Sequence, residues 1–239
     1  MLESQFAHWR GLDEADRGRL RDEIRFFIAE RNWEGCAGLA LTDPMRVLIA
    51  AQACLLVLHR PDLQYRNVSA ILVYPGGYFA GPQPTPVLGG PPRVADNAGL
   101  PVLGQAFDRG PVILSWRHAQ HGASSSDDGE NLVLHEFAHK LDMLNGAVDG
   151  TPPMRTREEA RTWHRTMTDA YEKLAAEARG SVPFGAPRSP LRAYALTNPA
   201  EFFAVGTEVF FERGEALREW DEEMYGAMAT FFGGGRAGS

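Results

Sequence analysis

Apolar residues recur at spacings of three and four from residue 13 to about 32, where Leu20, Ile24, Phe27 and Ile28 mark one face of an amphipathic helix. A more uniformly apolar helix follows in TDPMRVLIAAQACLLVLHR. Asp43 is placed to cap it, and Pro44 falls at the first helical position, where its missing N–H costs nothing. The two helices are expected to form a hairpin over about 13–60. The period then changes. VSAILVYPGGY (68–78) is β-branched and apolar and ends in Pro-Gly-Gly, the mark of a strand. The Gly/Pro-rich stretch at 81–100 reads either as a lid or binding loop or as a passive excursion. After it, the arms 102–107 and 111–116 flank Asp108-Arg109-Gly110 as a β-hairpin.

Helical spacing returns in NLVLHEFAHKLDMLNG (131–146), until Gly146, Gly150, Pro152 and Pro153 break the chain. A polar helix is expected over about 156–179, and after an irregular crossing Asn198-Pro199 opens another. Gly214 interrupts that helix, a further one runs to about Phe232, and 233–239 is a flexible tail. Strands gathered in one stretch and helices around them give an α+β class: a small mixed sheet with surrounding helices. The pattern fits a single domain over 1–232, with its sheet and core over about 68–232.

Composition narrows the function. A net charge of −7 and a pI near 5.5 argue against direct nucleic-acid binding, which calls for a basic surface. The most apolar segment, 47–59, is too short to span a bilayer, so no membrane role is expected. No secretory signal is legible, and Cys36 and Cys54 lack metal-ligand spacing. They read as reduced packing residues of a cytoplasmic protein.

The chemistry concentrates in the helix at 131–146. His135 and His139 stand one turn apart on a single face, so both can aim an imidazole at one ion. Glu136 is rotated about 100° from His135, which puts it beside the ion as a proton acceptor instead of a ligand. Two histidines leave a catalytic zinc site one protein ligand short. The longer H-E-x-x-H-x-x-G-x-x-H form is absent, with Asp at 142 and Asn at 145. A glutamate on a later helix can complete the set, and NPAEFFAVGTEVFFE offers Glu201 and Glu208 on one face. The residues alone do not choose between them. Asp142 lies on the ligand face, either to hydrogen-bond a ligand imidazole or as an ordinary exposed carboxylate. His118 and His121 read as loop histidines.

HEFAHKLDMLNG with the later YALTNPAEFFAVGTEVFFE resembles the Mlc titration factor A family of zinc-dependent peptidases. The pattern H-E-F-x-H-x-x-D at 135–142 is also similar to the catalytic domain of anthrax lethal factor. The resemblance implies a zincin-like metallopeptidase fold and Zn2+ held by His135, His139 and Glu201. It makes Glu136 the base, Tyr194 the assistant in catalysis, and Glu208 an outer or structural residue. Also implied are hydrolysis of a peptide bond by zinc-activated water and an aminopeptidase-like activity on short peptides. A peptide substrate could add to the sheet edge at 102–107 or 111–116. Such ligands also accept cobalt, nickel or manganese in vitro. The family name points to a second role: binding and sequestering Mlc, a transcriptional repressor linked to glucose uptake.

Overall fold

A single turn, α1 (Leu2–Gln5), and a 3-10 turn at Ala7–Gly11 lead the chain in, burying Phe6 and Trp9. Asp13 then accepts a hydrogen bond from the Asp16 backbone at 2.9 Å and starts α2 (Glu14–Ala29). The computed structural model describes residues 1–76, 110–125, 127–181 and 185–233. The 81–100 stretch, the 102–107 arm and residues 234–239 lie outside them.

The first helix ends three residues before the expected 32, because Asn32–Gly35 forms a strand, β1. Helix α3 (Asp43–Leu55) follows and packs on α2 as expected, so the helical hairpin has a strand in its connection. Its cap falls one residue earlier than Asp43, at Thr42. Strand β2 (Ala70–Tyr74) lies between β1 and β3 (Val112–Ser115), and all three run parallel. Asn32 pairs with Ala70 on one side, and Ile71 pairs with Val112 on the other. Among the described residues the expected mixed sheet is therefore parallel throughout. Ile71 and Val73 are fully buried, as a central strand requires.

Ser115 ends β3 and starts α4 (Trp116–Ser124), which corrects the expectation for His118 and His121. They ride on a helix, whose Ala119, Gly122 and Ala123 turn inward. Next, Asn131 caps α5 (Leu132–Asp142) by accepting the Leu134 N–H at 3.0 Å. Every residue of α5 from Val133 to Asp142 is buried. On the inner side of α5, Phe137 packs edge-on against Tyr65 at 4.8 Å and Phe27 at 5.6 Å between ring centroids. Full burial of one such ring contributes roughly 1.5–3 kcal/mol, enough to fix the roll of a short helix.

Thr156 caps the long α6 (Arg157–Ala178), which buries Trp163, Met167, Ala170 and Leu174 along one stripe. The C-terminal region holds three helices where two were expected: α7 (Pro199–Glu212), α8 (Gly214–Trp220) and α9 (Glu222–Phe232). The extra break is Asp221, whose side chain accepts the Met224 N–H at 2.9 Å and restarts the helix. Helices α5 and α7 pack on each other, and a continuous apolar core joins them to the sheet and to α3. Among the described residues no helix is long and apolar enough to cross a membrane.

Candidate metal centre

Asn198 caps α7 by accepting the Glu201 N–H at 2.9 Å, with Pro199 in the first turn. That cap fixes Glu201 in the opening turn of α7, facing the histidine ridge of α5. His135 Nε2 and His139 Nε2 are 3.2 Å apart, and Glu201 Oε2 is 3.1 Å from the first and 3.3 Å from the second. All three residues are buried, and among the described residues they form the single group able to hold a metal ion. Two bonds of about 2.0–2.1 Å meeting at a tetrahedral angle span about 3.3–3.4 Å, close to the edges of this triangle.

The electrostatics favour positive charge at the same place. Glu201 Oε2 is buried without a hydrogen-bond donor, because neither nitrogen meets it with hydrogen-bond geometry. Burial alone would lower the His135 pKa, but the carboxylates of Glu208, Glu201 and Glu136 outweigh it and hold the group up at about 10. Burial pushes Glu201 upward, and the two histidines pull it well below the usual carboxylate range. Without an ion, the His135 imidazolium answers the Glu201 charge; a divalent ion between the rings would take the place of its Nε2 proton. The residues present fit a divalent ion with nitrogen and oxygen ligands.

The opposite nitrogen of His135 fixes how an ion would be met. Nδ1 lies 2.7 Å from Glu208 Oε1, and an ionised carboxylate can only accept, so Nδ1 keeps its proton and Nε2 is the nitrogen an ion would take by displacing a proton. Glu208 therefore does what was expected of Asp142. Asp142 turns away, accepting the Gly150 N–H at 2.9 Å, and burial raises its carboxyl to about 6. It holds the chain reversal after α5 instead of a ligand ring.

Glu136 is buried beside the triangle. Desolvation raises its pKa, while His135 and His139 pull the other way. Tyr194 sits on the 3-10 turn Ala193–Leu196, half-buried, its ring centroid 6.2 Å from that of His135. Burial and then the charge of the Glu201 carboxylate raise its phenol pKa, so the hydroxyl keeps its proton. The structure thus brings together His135, Glu136, His139, Tyr194, Glu201 and Glu208. It leaves His118 paired with Ser115 at 2.8 Å and His121 with Asp128 at 2.7 Å. Cys54 is buried and Cys36 half-buried, both as free thiols.

Sequence reasoning missed three participants. Arg192 Nη2 donates to Glu208 Oε1 at 2.6 Å and Nη1 to Oε2 at 3.2 Å. The backbone N–H of Asn131 donates to Glu208 Oε2 at 2.6 Å, and the Asn131 side chain donates to Glu212 Oε1 at 3.0 Å. A buried glutamate seven residues after another on the same face is a signal that a donor is needed, but not of which one.

The family model described as glucose-regulated metallo-peptidase M90 matches residues 1–233. An uncharacterized protein of Synechocystis is 31% identical over 233 residues, covering 97% of this chain and 82% of the relative. Mlc titration factor A of Serratia proteamaculans is 32% identical over 228 residues, with 92% and 81% covered. The protein of the same name from Yersinia pestis is 29% identical over 222 residues, covering 92% and 78%.

Proposed function

The chain belongs to the glucose-regulated metallo-peptidase M90 family, and on that premise we propose that it is a cytoplasmic zinc-dependent metallopeptidase of zincin-like fold. One domain, residues 1–232, would hydrolyse peptide bonds, with short peptides and aminopeptidase-like cleavage as the expected range. The observation that carries this reading is the buried triangle of His135, His139 and Glu201 with Glu136 at its side. Two histidines and a glutamate are a donor set of catalytic zinc sites. When bound, the ion supplies Lewis acidity, polarising a carbonyl oxygen and making water easier to deprotonate.

The protein's own residues divide the rest of the work. Glu136, its proton affinity raised by burial, takes the proton of the attacking water and hands it to the leaving amine. Tyr194 keeps its hydroxyl proton through the neutral range and donates a hydrogen bond to the oxyanion of the tetrahedral intermediate. His135 and Glu201 stay fixed throughout, through Glu208 and the Asn198 cap. The test is metal content and hydrolysis of a small peptide library by wild type and Glu136→Gln. Stoichiometric transition metal in both, with cleavage only by wild type, is the expected result. A wild type without bound metal at neutral pH, or a variant that cuts equally well, would overturn it.

The relatives named Mlc titration factor A support a second role, binding of the repressor Mlc. This is separable from catalysis if Glu136→Gln abolishes cleavage and still retains Mlc in a pull-down. Loss of both in a folded variant would refute separability.

A further inference from the structure

We propose that Arg192 is a positioning residue for the metal: by clamping Glu208 it holds His135 in the tautomer and orientation that present Nε2 to the ion. The proposal rests on the metal centre described above. Its basis is the arrangement of donors around a single carboxylate. Glu208 is almost wholly buried, and each of its oxygens receives two donors. Oε1 takes His135 Nδ1 at 2.7 Å and Arg192 Nη2 at 2.6 Å. Oε2 takes the Asn131 N–H at 2.6 Å and Arg192 Nη1 at 3.2 Å. A carboxylate with about four lone-pair sites is filled and cannot turn.

Arg192 supplies two of those four contacts, and the planar fork of a guanidinium fixes both oxygens at once. Without it, Glu208 would still reach Asn131 and His135 but would be free to twist about its carboxyl axis. The imidazole that depends on it would turn too. Arg192 also donates to the Gly129 carbonyl at 3.3 Å, which ties it to the segment leading into the Asn131 cap of α5. It stands two residues before Tyr194, and its guanidinium carbon lies 6.0 Å from the centre of that ring. One cation therefore joins the start of α5, the middle of α7 and the turn carrying the tyrosine.

The competing account makes Arg192 a strap between segments with no effect on the ion. A double-mutant cycle on zinc affinity separates the two. Full-length wild type, Arg192→Met, Glu208→Ala and the double variant are titrated against a competing chelator, with the cobalt-substituted visible spectrum as a second readout. Loss of a ligand's hydrogen-bond partner costs about 10–100-fold in metal affinity. Glu208→Ala should fall in that range and Arg192→Met by about 10-fold or more. Because Arg192 acts through Glu208, the double variant should bind no worse than Glu208→Ala alone.

Losses that multiply, or wild-type affinity and cobalt spectrum in a folded Arg192→Met, would overturn the proposal. Should Arg192→Met fail to fold, Arg192→Lys keeps the charge and gives up the fork, and should show an intermediate loss; wild-type affinity there would also overturn it. A wild type that binds zinc but cuts no peptide removes the peptidase reading while the cycle still decides Arg192. A wild type that binds no ion overturns both.

Discussion

Glu212 offers a quantitative test of how the buried network at the start of α5 is charged. Its Oε1 accepts from the Asn131 side chain at 3.0 Å, while Oε2 is buried with no donor. Its charged neighbours are the carboxylates of Asp128 and Glu208. Burial first, then the charge of Asp128, pushes Glu212 up to about 8 from an ordinary 4.5. At neutral pH the folded protein therefore holds a proton on Glu212, which removes its repulsion with Asp128 and Glu208. The unfolded chain has already released that proton.

The sign follows directly. Between pH 4.5 and about 8 the native state binds more protons than the unfolded state, so stability falls as pH rises. The slope is about 1.4 kcal/mol per pH unit. At pH 7 the accumulated loss is therefore about 3 kcal/mol relative to acid conditions. Glu212→Gln is shaped like the protonated acid: its amide oxygen can accept from Asn131 and it carries no charge beside Asp128. The variant should match wild type near pH 5 and gain on it steadily up to pH 8, above which the difference levels off. Urea denaturation of both proteins across that range measures the difference, with all other titrating groups cancelling. A difference that stays flat from pH 5 to 8 would mean that Glu212 is already ionised in the fold at pH 5, and the argument would fail.

Glu136→Gln should keep its metal and lose about 10²–10⁴-fold in kcat, as removal of a general base does; an unchanged kcat in steady-state assays refutes its role. Glu201→Ala should lose more metal affinity than the roughly 10–100-fold typical of removing a ligand's hydrogen-bond partner, and zinc retention after dialysis reads this directly. Tyr194→Phe should retain zinc and lose about 10²–10³-fold in kcat; equal losses in zinc and kcat would instead make it a structural prop. Gly150 has φ +77°, and a Cβ there would lie 2.4 Å from the Pro199 carbonyl oxygen. Gly150→Ala should cost about 2–4 kcal/mol in denaturation and disturb zinc retention, since Pro199 opens the turn that carries Glu201.

What the sequence made legible was whatever is local. The helix start at Asn198, the run of α5 and the polar run of α6 lie within a turn or two of the residues that signal them. Strand β1 was not legible, since its four residues, Asn-Trp-Glu-Gly, carry little strand preference. They become a strand only by pairing with Ala70–Val73, far along the chain. The helix bearing His118 and His121 was hidden for a different reason: its buried positions are Ala119, Gly122 and Ala123, too small to mark an apolar face. Gly122 is small because the Asn131 side chain lies within 2.7 Å of where its Cβ would be, another contact between separate elements. Arg192 belongs to the same class, since only the folded chain brings it to Glu208.

The choice between Glu201 and Glu208 as third ligand shows where local reasoning stops. Both face α5, seven residues apart, a rise of about 10.5 Å along α7. Between them they bracket one imidazole, Glu201 at Nε2 and Glu208 at Nδ1. Spacing cannot rank them, because it is the same spacing that lets both reach the ring. The ranking comes from what else each carboxylate touches. Glu208 has four donors and no lone pair left for an ion. Glu201 has a buried oxygen with no donor, equidistant within 0.2 Å from two ring nitrogens that lack a shared partner. Metal ligation needs the second environment, and the first is what holds a ligand ring still. Exchanging the proposed roles would require Arg192 and the Asn131 N–H to sit at the other end of α7, so the proposed assignment rests on the elements around the glutamates and not on the glutamates themselves.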